Sequence, residues 1–378
     1  MVGGMSKDFE AAWLTVRLGA IAANYRTFRG LAAPAAVAGV VKADAYGMGA
    51  AMVAPRLADA GCDTFFVARL AEGVALRPIL PKARILVLDG AQPDAVPALI
   101  ANRLTPVLNS LAEIAAWSAA ATAARHRLEA AVHIDTGMNR LGLSQPELSD
   151  LAAGWRKRLA GLELVLLMSH LASADDAHAK QNGAQLSRFR TALAMLPPAP
   201  ASLASSGGIL LGKEYHFDLV RPGIGLYGGH PQPGHGKNPM QAVAVLTGRV
   251  LQLRRIDKGE AVGYGATFRA KRPSMLATVA LGYADGVRRA LSNDGKSKVA
   301  MAAFAGSRVP IAGRISMDLM SVDVSAIPAG RIRNGDEVEL LGDAVPLDEV
   351  AEAAGTNAYE ILTGLARRVP RHYVSADQ

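Results

Sequence analysis

The sequence predicts an α/β chain: an N-terminal (β/α)8 TIM-type barrel followed by a mostly β C-terminal domain. Three observations carry that prediction. Short apolar and β-branched runs alternate with alanine-rich segments of helical period between residues 37 and 221. The runs number eight, with their helices spanning roughly 230 residues, which matches the ~250 residues such a barrel usually takes. Past the Gly-, Pro- and His-rich loop Gly228 to Asn238 the alternation stops and strand-and-turn patterning begins.

In chain order, Val37 to Val41 reads as the first strand, and the Gly49 to Gly61 stretch after it has the apolar period of a helix. Thr64 to Val67, Arg84 to Leu88, Leu104 to Leu108, Ala130 to Asp135, Glu163 to Met168, Ser202 to Ser205 and Asp218 to Arg221 complete the set. A doubly wound sheet alternates in the same way, and the count is what favours a barrel. After the loop, Ala242 to Leu253, Met275 to Leu281, Lys298 to Phe304, Met320 to Val324 and Glu337 to Leu341 read as strands. Turn signals such as Asp257-Lys258-Gly259 and Asn334-Gly335-Asp336 separate them, with little helix between. The expected division is an N-terminal segment 1–13 packing on the β domain, a cofactor-binding barrel 14–239, and a β domain 240–378.

Composition limits the function. Of 378 residues 50% are hydrophobic and 20% charged, which excludes disorder. No apolar run approaches the ~20 residues of a membrane helix. The net charge is 41 − 33 = +8, yet Lys and Arg are dispersed, with no basic stripe interleaved with aromatics. Nucleic acid is therefore not expected as a partner, and attraction to small anions is. The lone cysteine, Cys62, offers neither a disulfide nor metal-ligand spacing. With no basic start and cleavage pattern at the N-terminus, the expected compartment is the cytoplasm.

Several residues could carry chemistry. Lys42 follows the first strand in Val40-Val41-Lys42-Ala43-Asp44-Ala45-Tyr46-Gly47, at the strand end where barrel enzymes keep reactive groups. A lysine partly desolvated by apolar neighbours loses its proton more readily, the condition for bonding covalently to an aldehyde cofactor. Arg140 closes His133-Ile134-Asp135-Thr136-Gly137-Met138-Asn139-Arg140, and its fork suits a carboxylate or phenolate oxygen. Arg221 opens Arg221-Pro222-Gly223-Ile224-Gly225-Leu226-Tyr227-Gly228. The G-x-G-x-x-G inside that run opens no helix and has Val243 where an acid belongs, so the dinucleotide reading fails. A phosphate cradle survives, supported by Ser205-Ser206-Gly207-Gly208 one strand earlier. His170, Asp175, Asp176 and His178 match no familiar zinc spacing, the two acids read as a helix N-terminus, and no metal is expected. Tyr264 stands between glycines in Val262-Gly263-Tyr264-Gly265-Ala266-Thr267.

Together the runs V-V-K-A-D-A-Y-G, D-T-G-M-N-R-L-G, S-H-L-A-S-A-D, R-P-G-I-G-L-Y-G, G-Y-G-A-T, G-Y-A-D-G and S-M-D closely resemble the alanine racemase family, in its order and across nearly the whole chain. That resemblance implies a homodimer using pyridoxal phosphate, each active site completed by the partner's β domain. It implies an amino-acid substrate and supply of D-alanine for peptidoglycan. Carried onto matching positions, Lys42 would hold the cofactor and act as one base, with Tyr264 of the other subunit as the second. Arg221 would pair with the pyridine nitrogen and His170 would sit against the ring, linking Arg221 to Tyr264. Arg140 would contact the phenolic oxygen and the substrate carboxylate. Tyr46, Ser206, Gly223 and Ile224 would bind phosphate. Met317 and Asp318 would line the carboxylate side, and Tyr283 would narrow the entrance.

Three positions depart from the family. His133 stands where many relatives carry a carbamylated lysine that orients the arginine, Ser205 where many have Asn, and Arg367 where some have a tyrosine reaching the phosphate. A non-catalytic pyridoxal-phosphate carrier resembles the barrel alone, and the β domain with Tyr264 argues against it. A racemase for another small amino acid such as serine is a further alternative. A related decarboxylase needs a cysteine in the C-terminal half, where this chain has none.

Overall fold

The computed structural model describes residues 10–294 and 299–375. Most of the expected segment 1–13, and Lys298 at the start of one expected strand, lie outside the described residues. The chain divides into two units. One comprises Ile21–Leu226 with His230–Met240, and the other the rest of the chain.

In the first unit seven strands pair in parallel in sequence order: Gly39–Val40, Thr64–Val67, Arg84–Val87, Thr105–Leu108, Leu128–His133, Leu162–Met168 and Ala201–Ser202. The eighth, Leu219–Val220, pairs in parallel with Ala36–Val37. On its other edge Asp218 N donates to Ala201 O and Arg221 N to Ala204 O. The sheet therefore returns to its own first strand, as the (β/α)8 expectation requires. The first strand is divided at Ala38: its early half pairs with the eighth strand and its late half with the second. Strand tilt and stagger in a closed barrel put a strand's two neighbours at different heights. Thr64–Val67 is buried at every position, with Phe65 and Phe66 at 0% exposure. A strand packed on both faces reads as a continuous apolar run, and this one does.

Helices cover the outside and begin where their caps permit. Ser110 accepts from Glu113 N at 3.2 Å to start Leu111–Ala124. Ser144 and Glu147 form a capping box at Gln145–Arg158, whose last turn carries Arg156, Lys157 and Arg158 against the negative helix end. Asp175 and Asp176 are not in a helix N-terminus as expected: the helix starts at Lys180, and Asp176 instead accepts from His178 N at 2.8 Å.

The second unit is built on an eight-stranded sheet whose main path runs Ser307–Pro310, Met301–Phe304, Glu337–Leu341, Ala244–Ile256, Ala12–Arg17, Arg371–Val374. Ser274–Val279 joins Ala244–Ile256 and Met320–Asp323 joins Ser274–Val279. The long strand serves both groups through a register shift between Val250 and Gln252. Ala12–Arg17 is an interior strand of this sheet, with Trp13, Leu14 and Val16 buried. The sequence pattern assigns residues from 14 onward to the barrel. Both edges of this strand are used by strands of the second unit, so residues up to Ala20 belong there. Helices Leu347–Ala353 and Ala358–Thr363 add more helix than the turn signals suggested.

Phe65→Ala should destabilise the barrel by about 3–5 kcal/mol. A urea midpoint equal to that of the parent chain would show that Phe65 is not held in a close-packed core.

Candidate active site

Barrel closure gathers the C-terminal strand ends, and the chemistry-bearing residues lie just past them. At the first of these ends the chain does something the composition does not suggest. Val41 N donates to Phe66 O, and then Ala43, Asp44, Ala45 and Tyr46 all adopt left-handed dihedrals, with φ between 52 and 56°. Left-handed backbone costs L-residues about 1–2 kcal/mol each, so the surroundings must hold it. They do so with Ala45 N to Val41 O and Gly47 N to Ala43 O, each 2.9 Å, and with Asp44 Oδ1 accepting from Ala50 N at 2.8 Å. Lys42 stands at the head of this turn, half-buried, with no hydrogen bond or ion pair to a described residue. Burial lowers its pKa, and the Arg140 charge lowers it further against the opposing pull of Glu72 and Asp89.

Arg221 lies at the end of the eighth strand, 4% exposed. Its partners are all neutral: Ser202 Oγ, the carbonyl of Ser169 at 2.7 Å and that of Leu203 at 3.4 Å. Its guanidinium also lies 5.9 Å from the centre of the Phe66 ring. Burial without a carboxylate pushes its pKa down to about 10, which still leaves it charged at neutral pH. His170 Nδ1 faces Arg221 Nη2 at 3.4 Å. Burial first, then the charges of Arg221 and Arg140, hold this imidazole well below its ordinary value, so it is neutral. With Nδ1 turned to a donor, the ring proton is assigned to Nε2.

Beside them a small polar cradle forms. Ser206 Oγ, buried, accepts from Gly223 N at 2.8 Å and Gly225 N at 3.3 Å. Both lone pairs are thereby engaged and the hydroxyl hydrogen is left to donate. A Cβ on Gly223 would come within 2.2 Å of Tyr46 Oη, so glycine is required for the tyrosine hydroxyl to reach this spot. Ile224 is buried next to it in the chain.

Arg140 is exposed and makes no hydrogen bond or ion pair with described residues. Asp135 shapes its loop, Oδ1 accepting from Gly137 N at 2.8 Å and Met138 N at 2.9 Å. His133, the first departure, is buried with Nδ1 2.8 Å from Asn109 Oδ1. Asn109 Nδ2 donates to the carbonyls of Leu88 and Val107, so its oxygen must accept and His133 Nδ1 carries the proton. Burial first and Arg221 next push His133 down to about 4, leaving a neutral ring at this position.

The second unit holds the remaining candidates. Tyr264 sits in the turn Tyr264–Ala266 between Gly263 and Gly265, both left-handed, and is 71% exposed. The runs around Tyr283 and Met317, distant in sequence, are joined by Tyr283 N to Ser316 O at 3.0 Å and Ala284 N to Met317 O at 2.9 Å. Arg368 braces the pair, donating to Asp285 Oδ1 and Asp318 Oδ1 at 2.7 Å each. Met317 and Tyr283 stay exposed, at 54% and 43%.

Sequence reasoning missed Asn109, Gln185, Glu72 and Arg368. Asn109 had a usable signal, a polar residue directly after a barrel strand. Gln185, fully buried, supports His170 from behind: its Nε2 donates to His170 O at 2.9 Å and its Oε1 accepts from Ala172 N at 2.8 Å. Nothing in its helix marked it out. Near His170, His178 packs edge-on to His235 at 5.3 Å, and no described group of three or more His, Cys, Asp or Glu is arranged for a metal. A cavity of about 510 Å³ opens at the opposite barrel end, lined by Thr64, Arg84, Thr105 and Leu128 at strand starts. Barrel chemistry belongs to the other end, and this cavity is not the candidate site.

The chain matches the model of the alanine racemase N-terminal domain over residues 16–231 and that of the alanine racemase C-terminal domain over 243–373. It is 50% identical to the protein named alanine racemase, catabolic, of Agrobacterium fabrum, over 96% of this chain and 92% of that one. It is 48% identical to the protein of the same name from Mesorhizobium japonicum, over 98% and 95%. Among solved structures, alanine racemase from Bartonella henselae with covalently bound pyridoxal phosphate is 41% identical, with a TM-score of 0.90 over 97% of this chain and all of that one. The biosynthetic alanine racemase of Pseudomonas aeruginosa is 35% identical, with a TM-score of 0.88 over 97% and 100%.

Gly223→Ala should displace Tyr46 and weaken cofactor binding about tenfold or more, while far-ultraviolet circular dichroism stays unchanged; undiminished affinity in a cofactor titration would remove Tyr46 and Gly223 from the cradle. His133 offers a pH test. Its folded pKa of about 4 lies below the ordinary 6.5, so the unfolded chain takes up the proton first. Its contribution is intact above pH 6.5 and is lost as pH falls toward 4. His133→Gln should therefore flatten the acid-side stability slope by about 1.4 kcal/mol per pH unit. Equal slopes in urea denaturation would mean that His133 titrates normally in the folded protein.

Proposed function

The chain belongs to the alanine racemase family of pyridoxal-phosphate-dependent isomerases, and from that premise we propose that it interconverts L- and D-alanine with Lys42 and Tyr264 as two bases. The residues present fit the cofactor. A buried hydroxyl with its hydrogen left to donate, and a glycine whose Cβ would collide with Tyr46, suit a phosphate group. A buried guanidinium with no carboxylate partner suits a neutral ring nitrogen.

On this reading Ser206, Tyr46, Gly223 and Ile224 hold the phosphate, Lys42 is the covalent anchor, and Arg221 donates to the ring nitrogen. Bound pyridoxal phosphate supplies a carbon for covalent attachment of the amino acid and a ring that withdraws electrons from its Cα. Arginine keeps its proton, so Arg221 limits protonation of the ring nitrogen and tempers that withdrawal, which disfavours transamination. His170, neutral, packs against the ring and passes a hydrogen bond from Arg221 toward Tyr264. Arg140 takes the substrate carboxylate and the phenolic oxygen, which its exposed, uncommitted fork allows. Racemisation needs a proton removed at one face of Cα and returned at the other. Lys42 Nζ serves one face, its pKa lowered chiefly by burial, and the Tyr264 hydroxyl serves the other.

We propose that Tyr264 reaches this site from the partner subunit of a homodimer, with Met317 and Asp318 lining the carboxylate side and Tyr283 narrowing the entrance. Exposure of Tyr264, Tyr283 and Met317 on one unit supports a surface that a second copy covers. The reducing cytoplasm remains the proposed compartment, consistent with Cys62, a buried free thiol whose pKa burial raises to about 12. No described helix is long and apolar enough to cross a membrane.

The single observation carrying the proposal is Lys42, uncommitted and partly desolvated at the strand end beside a buried, carboxylate-free Arg221. Incubation of the cofactor-loaded protein with L-alanine should approach an equal mixture of enantiomers by chiral chromatography, with L-serine run in parallel as the competing substrate. Tyr264→Phe should lower kcat about 100-fold or more with the cofactor's absorbance intact; near-normal turnover would end the two-base assignment. Mixing Lys42→Ala and Tyr264→Phe chains should restore activity, and verified subunit exchange without restoration would rule out shared sites. Supply of D-alanine for peptidoglycan and its consumption use the same equilibrium. A gene deletion that creates a D-alanine requirement supports supply. Loss of growth on alanine as the sole carbon source supports the catabolic use named for two relatives.

A further inference from the structure

A single carboxylate binds three backbone donors at the base of Lys42. Glu72, in helix Leu70–Leu76, accepts from Ala43 N at 2.6 Å through Oε1. Through Oε2 it accepts from Ala68 N at 2.8 Å and Arg69 N at 3.0 Å. The Ala43 N–H belongs to the peptide that leaves Lys42, so holding it fixes the direction in which the lysine is presented. Ala68 directly follows the strand Thr64–Val67, and Phe66 of that strand accepts from Val41 N at 2.9 Å. The backbone around Lys42 is thus tied on both sides, before it by Val41 N to Phe66 of the second barrel strand, and after it by Ala43 N to Glu72, which also holds the residues that follow that strand.

The backbone beyond this tie is strained, which makes the tie consequential. Ala43 opens the left-handed run to Tyr46, a conformation L-residues keep only when held. Asp44, whose side chain also bonds within this segment, grips Ala50 N at 2.8 Å at its far end. At the near end, where Lys42 sits, Glu72 is the side chain that holds Ala43 N, alongside the backbone bond from Ala45 N to Val41 O. Capping the helix alone would require only the bond to Arg69 N. The shortest of the three bonds instead reaches another element. Glu72 also sets a negative charge toward Lys42, against that of Arg140.

On the reading that Lys42 anchors the cofactor, we propose that Glu72 is a positioning residue, holding the left-handed turn so that Lys42 Nζ is aimed at the cofactor's carbonyl carbon. The test compares wild type with E72A, E72Q and E72D as cofactor-loaded enzymes. Borohydride reduction and peptide mass spectrometry first identify the modified lysine; a residue other than Lys42 would overturn the reading of the anchor and this proposal with it. With Lys42 modified, the cofactor is removed with hydroxylamine and its recapture is followed by absorbance after adding pyridoxal phosphate. E72A should slow recapture and lower kcat about tenfold or more, with the KM for alanine nearly unchanged, and E72D should recover part of both. A lower melting temperature with recapture and kcat within about twofold of wild type would reduce Glu72 to a helix cap and overturn the proposal. Where E72A does not fold, E72Q, which keeps one accepting oxygen, is held to the same two criteria.

Discussion

The site exists because the barrel closes. Ala36 N to Asp218 O, Ala38 N to Val220 O and Val40 N to Pro222 O join the last strand to the first, at 2.9, 2.9 and 3.2 Å. That seam brings the lysine turn beside the arginine and glycine run, so that Tyr46 Oη comes against Gly223 although nearly half the chain lies between them. Without it, the lysine and the phosphate cradle would sit at opposite edges of an open sheet.

Around the seam the charges are unbalanced in one direction. Arg221 is buried among neutral acceptors, Arg140 has no acid partner among the described residues, and His133 and His170 are neutral because burial and these cations suppress their protonation. A buried cation without a counter-charge is costly in an isolated fold and suited to a ligand bringing acceptors of its own. A phosphorylated, phenolic cofactor and an amino-acid carboxylate meet that description. The neutral His133–Asn109 pair also shows that this chain does not orient Arg140 with a negative group at position 133.

Much of the fold was legible because barrel strands buried on both faces, such as Thr64–Val67, read as short apolar runs between helices. The expected boundary at residue 14 cuts the strand Ala12–Arg17 for a physical reason: a six-residue alternation does not say which sheet will use its edges. Helices Leu347–Ala353 and Ala358–Thr363 are short and carry too few turns for a period to stand out.

The sequence alone determined which residue types stand at or just past strand ends, Lys42, His170 and Arg221, and that Arg140 closes the loop after Leu128–His133, because a strand end and its loop are local events in the chain. It also determined that a glycine stands at position 223, in a run whose character was plain before its neighbour was known. Only the tertiary structure decided the left-handed turn at Ala43–Tyr46, since alanine favours the opposite hand and the conformation is held by partners such as Glu72, 29 positions away. It likewise decided the tautomer of His133, the support of His170 by Gln185, and the bracing of Asp285 with Asp318 by Arg368. Each of these is a hydrogen bond between residues far apart in sequence, and no local propensity records such a bond.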